Sequence, residues 1–367
     1  MFGTMGLGGA EMRTLELLRA LGTQGVEFHF LTLSGRNGVL DDEIASLGGK
    51  IHPIPLNIKF PFAFLRLLRS VRPDAVDSHV ATFSGVLLMG AWATRVKRRI
   101  AHFRSDGDGH EDTLRRRAQR SVMTSLIRRF ATDIVGVSPS ALTNGYSPDW
   151  PSDPRARVIV NGVPPFLPDP DRQDLRQLMG VSAALIVLHV GRPSPEKNRA
   201  HTVHVLNALR AKGVDAHLGL VGGNGPDSNL ICATASSLGL EDYVHDLGAR
   251  RDARELMSQA DVVLLPSIRE GLPGVVVESL STGTPVVATS LPGVVFIGSE
   301  LPGVRVVGLS STAGEWADAA AAAVLESRDP DWRRNLKSEF ARSVFSQSQT
   351  SSSRDEFTVE IHASASW

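Results

Sequence analysis

Short apolar runs alternate with amphipathic segments of helical period along most of the chain, and this alternation limits the fold more than any other feature. Strands separated by helices pair in parallel, and a parallel sheet needs helices over both faces. The alternation runs through the chain twice. In the first half, Glu11–Leu21 has Leu15, Leu18 and Leu21 at helical spacing, and Val26–Leu33 reads as a strand. Phe62–Val71 reads as a helix, Ala75–His79 as a buried strand, Gly85–Thr94 as a small-residue helix and Arg99–Phe103 as a strand. Leu114–Phe130 is a long basic helix, and Asp133–Val137 is a strand ending at the helix-start signal Ser138-Pro139-Ser140.

Tyr146–Pro154 and Val163–Asp174 are rich in Pro and Asp, with a strand at Val158–Val160 between them, a composition that suits a linker. The alternation then restarts. Strands are expected at Leu185–Val190, His217–Val221, Tyr243–Leu247, Val262–Leu265, Pro285–Ala288 and Val304–Val307. Helices are expected at Arg199–Lys212, Asn229–Leu238, Arg251–Gln259, Val275–Ser281 and Glu315–Glu326. The expected architecture is α/β, with two facing doubly wound, Rossmann-like domains, 1–165 and 166–339, and a cleft between them. Ligands in such sheets sit beyond the carboxyl ends of the strands.

Composition removes several classes. No apolar run approaches the ~20 residues of a spanning helix, and the first residues show no secretory pattern. One cysteine, Cys232, rules out an internal disulfide framework and a Cys-based zinc cluster and fits a reducing cytoplasm. Net charge is zero but uneven. Residues 1–165 hold 21 Lys and Arg against 15 Asp and Glu, and the remainder 18 against 24. The basic excess gathers between Arg95 and Arg129. It reads as solvated helix faces, or as a docking face for an anionic membrane on the inner side of the plasma membrane or for a phosphorylated acceptor. Nothing in the chain points to nucleic acid.

Three segments, each placed after a strand, carry the chemistry. The strongest is Arg269-Glu270-Gly271-Leu272-Pro273-Gly274-Val275-Val276-Val277-Glu278. Its Gly/Pro-rich turn lets backbone N–H groups approach a ligand, and its two carboxylates suit sugar and ribose hydroxyls. They repel phosphate, which must be held elsewhere. Gly191-Arg192-Pro193-Ser194-Pro195-Glu196-Lys197-Asn198 supplies the cations, Arg192 as a fork and Lys197 as a point charge. Together these two could stabilise a departing nucleoside diphosphate without a metal or other cofactor. The third segment, Gly222-Gly223-Asn224-Gly225-Pro226, reads either as a phosphate or sugar contact or as a plain glycine turn. No P-loop is present, and Gly6-Leu7-Gly8-Gly9-Ala10-Glu11 departs from a dinucleotide fingerprint by placing Glu11 where the third glycine belongs.

In this order the segments resemble the retaining glycosyltransferases of family four, which have the GT-B fold. Ala260-Asp261-Val262, Leu265-Pro266-Ser267 and Gly283-Thr284-Pro285-Val286-Val287 extend the likeness, as do Gly8-Gly9-Ala10-Glu11, Asp77-Ser78-His79, Val137-Ser138 and Asn161-Gly162-Val163. The resemblance implies transfer of a sugar from a nucleoside diphosphate sugar to a lipid-linked, saccharide or small-molecule hydroxyl, with retention, in cell-surface polysaccharide or glycolipid synthesis. It implies that Arg192 and Lys197 hold the donor diphosphate, that Glu270 faces the donor sugar and Glu278 the ribose, and that Gly8 and Gly9 lie near the donor phosphates. Gly191, Gly223, Gly225, Gly271, Leu272, Pro273 and Gly274 would line the donor site. It further implies a C-terminal segment, 340–367, that returns to the first domain.

Two departures stand out. Only Met1–Met5 precedes the Gly6–Glu11 loop, where the family has a strand, so either the chain start is truncated or the first sheet lacks its central strand. The loop Ala101–Asp108 offers His102 or Arg104 where the family places a histidine near the donor sugar, and strand alternation points both the same way. Two other readings follow from these departures: a non-catalytic nucleotide-sugar binder and a GT-B nucleotide-sugar epimerase.

Overall fold

A computed structural model describes residues 1–6, 9–21, 25–105, 113–329 and 331–347. Contacts divide the described chain after Asn161. The first unit contains α1 (Gly9–Leu21), β1 (His29–Thr32), α2 (Asp41–Ser46), β2 (Lys50–Pro53), α3 (Phe60–Val71), β3 (Ala75–Ser78), α4 (Ser84–Ala93), β4 (Arg98–Phe103), α5 (Leu114–Phe130), β5 (Asp133–Gly136), α6 (Pro139–Gly145) and β6 (Ala156–Val158). Strands β3-β4-β5-β6 form one parallel sheet, and β1 pairs with β2 in parallel.

No strand precedes α1 among the described residues. Met1 and Phe2 occupy the slot between β1 and β3. Phe2 N–H donates to Leu31 O at 2.9 Å, and Leu33 N–H donates to Phe2 O at 3.0 Å. On the other side His79 N–H donates to Met1 O at 3.2 Å. Phe2 is 4% exposed and packs with Met5, Leu15, Leu18, Phe30, Leu40 and Ile44. Two residues therefore join the β1–β2 pair to the sheet that starts at β3. They satisfy backbone groups that a parallel sheet cannot leave bare.

The second unit contains α7 (Leu175–Met179), β7 (Leu185–Val190), α8 (Arg199–Ala211), β8 (Ala216–Val221), α9 (Ser228–Ser237), β9 (Val244–Asp246), α10 (Ala253–Gln259), β10 (Val262–Leu265), α11 (Gly274–Thr282), β11 (Val286–Thr289), α12 (Pro292–Glu300), β12 (Val304–Val307), α13 (Ala313–Ser327) and α14 (Trp332–Arg342). Its six strands are parallel, in the order β12-β11-β10-β7-β8-β9. Val187, Leu218, Val262, Leu264 and Val287 bury one face of this sheet against α8 and α13. Ala317, Ala320 and Ala323 recur at helical spacing on the inner side of α13, and their small side chains let that helix approach closely. A capping box fixes where it starts: Thr312 Oγ1 accepts from Glu315 N–H, and Glu315 Oε2 accepts from Thr312 N–H.

The division at 161/162 falls a few residues before the expected one at 165/166. Residues 340–347 stay with the second unit, where Phe345 meets Phe296 ring to ring and Val163 bridges Ser346. The rest of the segment expected to return to the first domain, including Arg354–His362, lies outside the described residues. No helix among the described residues is long and apolar enough to cross a membrane.

Candidate active site

In the second unit the chain runs outward from β7 through β8 to β9, then returns to place β10 on the other side of β7. The order reverses between β7 and β10, and the crevice beyond their carboxyl ends is where an open α/β sheet takes its ligand. The two segments with the strongest sequence signal leave from these two strands: Gly191–Asn198 follows β7 and Pro266–Pro273 follows β10. They are bound together. Ile268 N–H donates to Glu196 O at 2.8 Å, and Lys197 Nζ donates to Glu270 Oε1 at 2.6 Å. The Lys197 and Glu270 side chains are 19% and 13% exposed, so the ion pair is poorly screened. Arg192 stands exposed at the start of its loop. Arg269 lies 3.7 Å from the Glu196 carboxylate.

Glu278 is half-buried in α11, with Oε1 3.7 Å from where a Cβ on Gly274 would sit. The carboxylate thus folds back over the start of its own helix, where the macrodipole favours negative charge. Pro273 is the N-cap of that helix, and Gly271 and Leu272 lead into it. Close backbone approach explains two glycines. Gly222 has φ +147°, and a Cβ there would lie 1.8 Å from Gly191 O. A Cβ on Gly293, at the start of α12, would lie 1.6 Å from Gly271 O. The loop after β8 is therefore packed backbone to backbone on the loop after β7, and the start of α12 on the loop after β10.

Buried polar groups support this surface. Arg199 opens α8 and is 2% exposed. Its guanidinium grips Asp227 through Nε at 2.8 Å and a terminal nitrogen at 2.7 Å. Its remaining nitrogen donates to Gly223 O at 3.1 Å, and Gly225 N–H donates to Ser228 Oγ at 2.8 Å. The glycine loop is thus fixed by a bidentate pair, which also holds Asp227 below the usual carboxylate range. His189 on β7 is fully buried, and burial pushes its pKa down to about 3. Its Nδ1 lies 3.0 Å from Leu264 O, which can only accept, so Nδ1 carries the proton and Nε2 is a bare acceptor. His189 Nε2, Ser267 Oγ and Thr289 Oγ1 are buried without hydrogen-bond partners among the described residues, near the carboxyl ends of β7, β10 and β11. Such orphaned groups mark strain or a ligand surface.

The first unit builds a second polar cluster at the carboxyl ends of β3 and β4, and it contains both alternatives left open by the sequence. Arg104 Nε donates to His79 Nδ1 at 2.9 Å, and another guanidinium nitrogen donates to Asn161 Oδ1 at 3.4 Å. His79 Nε2 lies 3.2 Å from Asp77 Oδ2, and His102 Nδ1 lies 3.5 Å from the same oxygen. The His79 ring stacks on Phe2 at 4.6 Å. An arginine is always a donor, so it fixes the His79 tautomer: Nδ1 is bare and Nε2–H points at Asp77. Burial holds His79 well below the usual histidine range, against the attraction of Asp77. Burial also pushes the Asp77 carboxyl upward, but His79 and His102 outweigh it and hold Asp77 well below its usual value. Although 40% of the Asp77 side chain is exposed, its Oδ1 is out of contact with solvent.

The ligating atoms of Asp77, His79 and His102 lie within 4.8 Å of one another, as in a metal site. A metal at His79 Nε2 would drive the ring proton to Nδ1, against the Arg104 N–H. The geometry is that of a hydrogen-bonded chain.

The structure therefore brings Lys197, Glu270, Gly191, Gly223, Gly225, Gly271, Leu272, Pro273, Gly274 and Glu278 onto the edge around β7 and β10, with Arg192 at its rim. It brings His102 and Arg104 together in the first unit. Gly9 opens α1, and Gly8 lies outside the described residues, as do Asp106–Asp108. No role for Arg199, Asp227 or His189 follows from the sequence alone, because each acts on a partner 24 to 75 residues away.

Two parallel α/β units in one chain are the architecture of the GT-B class of sugar-transferring enzymes. Comparison agrees. A solved structure of HepE of Anabaena, in complex with UDP, superposes with a TM-score of 0.79 at 17% identity, covering 98% of each chain. Residues 7–167 match the family described as Glycosyltransferase Family 4, and residues 184–327 match Glycosyl transferases group 1. The capsular polysaccharide biosynthesis glycosyltransferase CapH of Staphylococcus aureus is 29% identical over 283 residues, spanning 76% of this chain and 77% of CapH. EpsF of Bacillus subtilis is 29% identical over 335 residues, spanning 88% and 86%. The chain belongs to the group 1 glycosyltransferases of family four type and is a glycosyl-transferring enzyme.

Proposed function

We propose that the enzyme moves a glycosyl unit from a nucleoside diphosphate sugar to a hydroxyl acceptor with retention, in assembly of a cell-surface polysaccharide or glycolipid. The observation that carries this reading is the Lys197–Glu270 bond at 2.6 Å, which joins the two loops flanking the β7/β10 reversal. An ammonium has three donors and Glu270 takes one, so Lys197 keeps two for a phosphate. In the proposed reaction the bond from the anomeric carbon to the diphosphate oxygen breaks. The acceptor hydroxyl bonds to that carbon on the same face, and its proton passes to the departing oxygen. Lys197 and Arg192 stabilise the charge that develops on the diphosphate without a metal. Glu270 faces the sugar hydroxyls, Glu278 the ribose, and His102 and Arg104 contribute from the first unit.

The names of the relatives support the surface-polymer assignment, and the UDP-glucose complex of HepE makes UDP sugars the first donors to try. The test is transfer from a panel of nucleotide sugars with EDTA present, reading the anomeric configuration of the product by NMR. An inverted product, or a requirement for added divalent metal, refutes the corresponding part of the proposal.

Peripheral attachment to the cytoplasmic face of the membrane belongs to the same reading. Among the residues of α5 only Ile127 is buried, while Leu114 is 81% and Val122 57% exposed beside Arg115 and Arg117. Flotation with anionic but not with neutral vesicles is expected. Equal flotation with both removes this part.

A further inference from the structure

A second charged feature lies at the opposite end of the first unit's sheet, where the chain enters β3 and β4. A cavity of about 440 Å³ opens there. Its floor is apolar, with Leu68 and Val96 each 4% exposed. Among the described residues its walls carry Arg69, Arg72, Arg95, Lys97 and one carboxylate, Asp74. All four cations are solvent-exposed.

Two of these arginines stand where arginine is a poor choice. Arg72 ends α3 in the left-handed region, at φ 50°, with its N–H donating to Leu68 O. Arg95 follows α4 at φ 64°, where Val96 N–H donates to Ala91 O at 3.0 Å. These are helix C-terminal turns in which glycine is the favoured residue, because a side chain crowds the backbone at positive φ. Only four described non-glycine residues have positive φ, and two of them are arginines lining this one cavity. Backbone strain accepted twice at one place indicates that the side chains are used.

We propose that this cavity binds a phosphate group, with Arg72 and Arg95 as its principal ligands. Guanidinium forks match phosphate oxygens, and the apolar floor accepts whatever the phosphate is attached to. The site lies at the amino ends of β3 and β4, away from the strand ends that carry the clusters described above, and does not depend on the transfer reading. A soluble phosphoester and a phospholipid headgroup offer the same chemistry.

The experiment measures two bindings: inorganic pyrophosphate by calorimetry, and flotation with phosphatidylcholine vesicles with and without phosphatidylglycerol. Each is run on the full chain, on Arg72→Gly/Arg95→Gly and on Arg192→Ala/Lys197→Ala. The glycine pair is expected to keep or raise the melting temperature, since glycine relieves the strain. If the ligand is a soluble phosphate, wild type binds pyrophosphate in two classes. The glycine pair then weakens one class by about tenfold per arginine, and Arg192→Ala/Lys197→Ala weakens the other. If it is a headgroup, the glycine pair instead weakens phosphatidylglycerol-dependent flotation, by about tenfold per arginine. Unchanged pyrophosphate binding together with unchanged flotation overturns the proposal and leaves the donor-site reading standing. Arg69→Gln/Lys97→Gln, which alters no left-handed position, must show the same loss if the glycine pair does not fold.

Discussion

Lys197 and Glu270 form one unit, so removing either disturbs stability and transfer together, and removing both separates the two effects. Their contact is 2.6 Å, with about a fifth of one side chain and an eighth of the other exposed. At an effective dielectric constant of about 20, two unit charges 4 Å apart attract by about 4 kcal/mol, before desolvation is subtracted. Breaking a fully buried pair by deleting one partner costs about 3–5 kcal/mol, because a charge is left stranded. Residual solvent access lowers that here to about 2–3 kcal/mol for Lys197→Met. Glu270→Gln keeps a carbonyl acceptor for Lys197 and should cost about 1 kcal/mol.

The double variant strands no charge, so its cost should fall below the sum of the singles by about 1–2 kcal/mol. Urea unfolding measures all four proteins. Transfer should behave differently. Loss of a cation that stabilises the leaving diphosphate removes about two to three orders of magnitude of turnover, and restoring charge balance does not restore it. Double-variant stability recovered with turnover still lost is the expected pattern. Recovered turnover would mean the pair only holds two loops together, and additive stability losses would mean the contact contributes nothing.

Two further outcomes follow. His189 is neutral and buried, with its pKa lowered to about 3 from an ordinary 6.5. Between those values the unfolded chain binds a proton that the folded chain does not, so stability is full above about pH 6.5 and falls as pH drops toward 3, by at most about 1.4 kcal/mol per unit. His189→Phe should flatten the pH dependence of second-unit unfolding over that window; parallel curves for the two proteins would refute it. In the first unit, His79→Ala should weaken transfer about as much as Arg104→Gln, and the double variant no more than either. Multiplicative losses in kcat/KM would show that His79 does not position Arg104.

The sequence carried the second unit's site because its chemistry sits on contiguous loops. Gly191–Asn198 and Arg269–Glu278 each follow a strand of buried apolar residues, and strand, turn and helix can be read in one pass. What it could not carry were pairings set by strand order. Arg199 and Asp227 are 28 residues apart and meet only because β7 and β8 are neighbours. His79 faces His102 because the register sets Ala75 opposite Arg98, and register is not visible in one strand at a time. Elements with weak periodicity were lost as well. β2 is exposed or half-exposed throughout, and α2 buries only Ile44. α12, rich in Gly and Val and short of polar residues, offers no amphipathic stripe to mark it as a helix.

The basic stretch from Arg95 to Arg129 looks continuous in sequence but does not act as one patch. Arg98 is held by Asp133 at 2.9 Å, and Arg99 donates to the carbonyls of Phe130, Val96 and Lys97. Arg128 lies over the Tyr146 ring and reaches Ser147. Two separate groups of cations are solvent-exposed. One is on the first turns of α5, at Arg115 and Arg117. The other is at the cavity, at Arg72, Arg95 and Lys97. Arg99 ties the cavity end to Phe130, the last residue of α5, so the two groups lie at opposite ends of that helix. Seventeen helical residues span about 25 Å, against a screening length of about 8 Å in physiological salt. At that separation they attract an anionic surface independently. Neutralising Arg115 and Arg117 should therefore weaken flotation on phosphatidylglycerol vesicles by the same factor whether or not Arg72 and Arg95 are glycine. A factor that depends on the cavity residues would mean the two ends meet one surface cooperatively, and the helix length would then be the wrong measure of their separation.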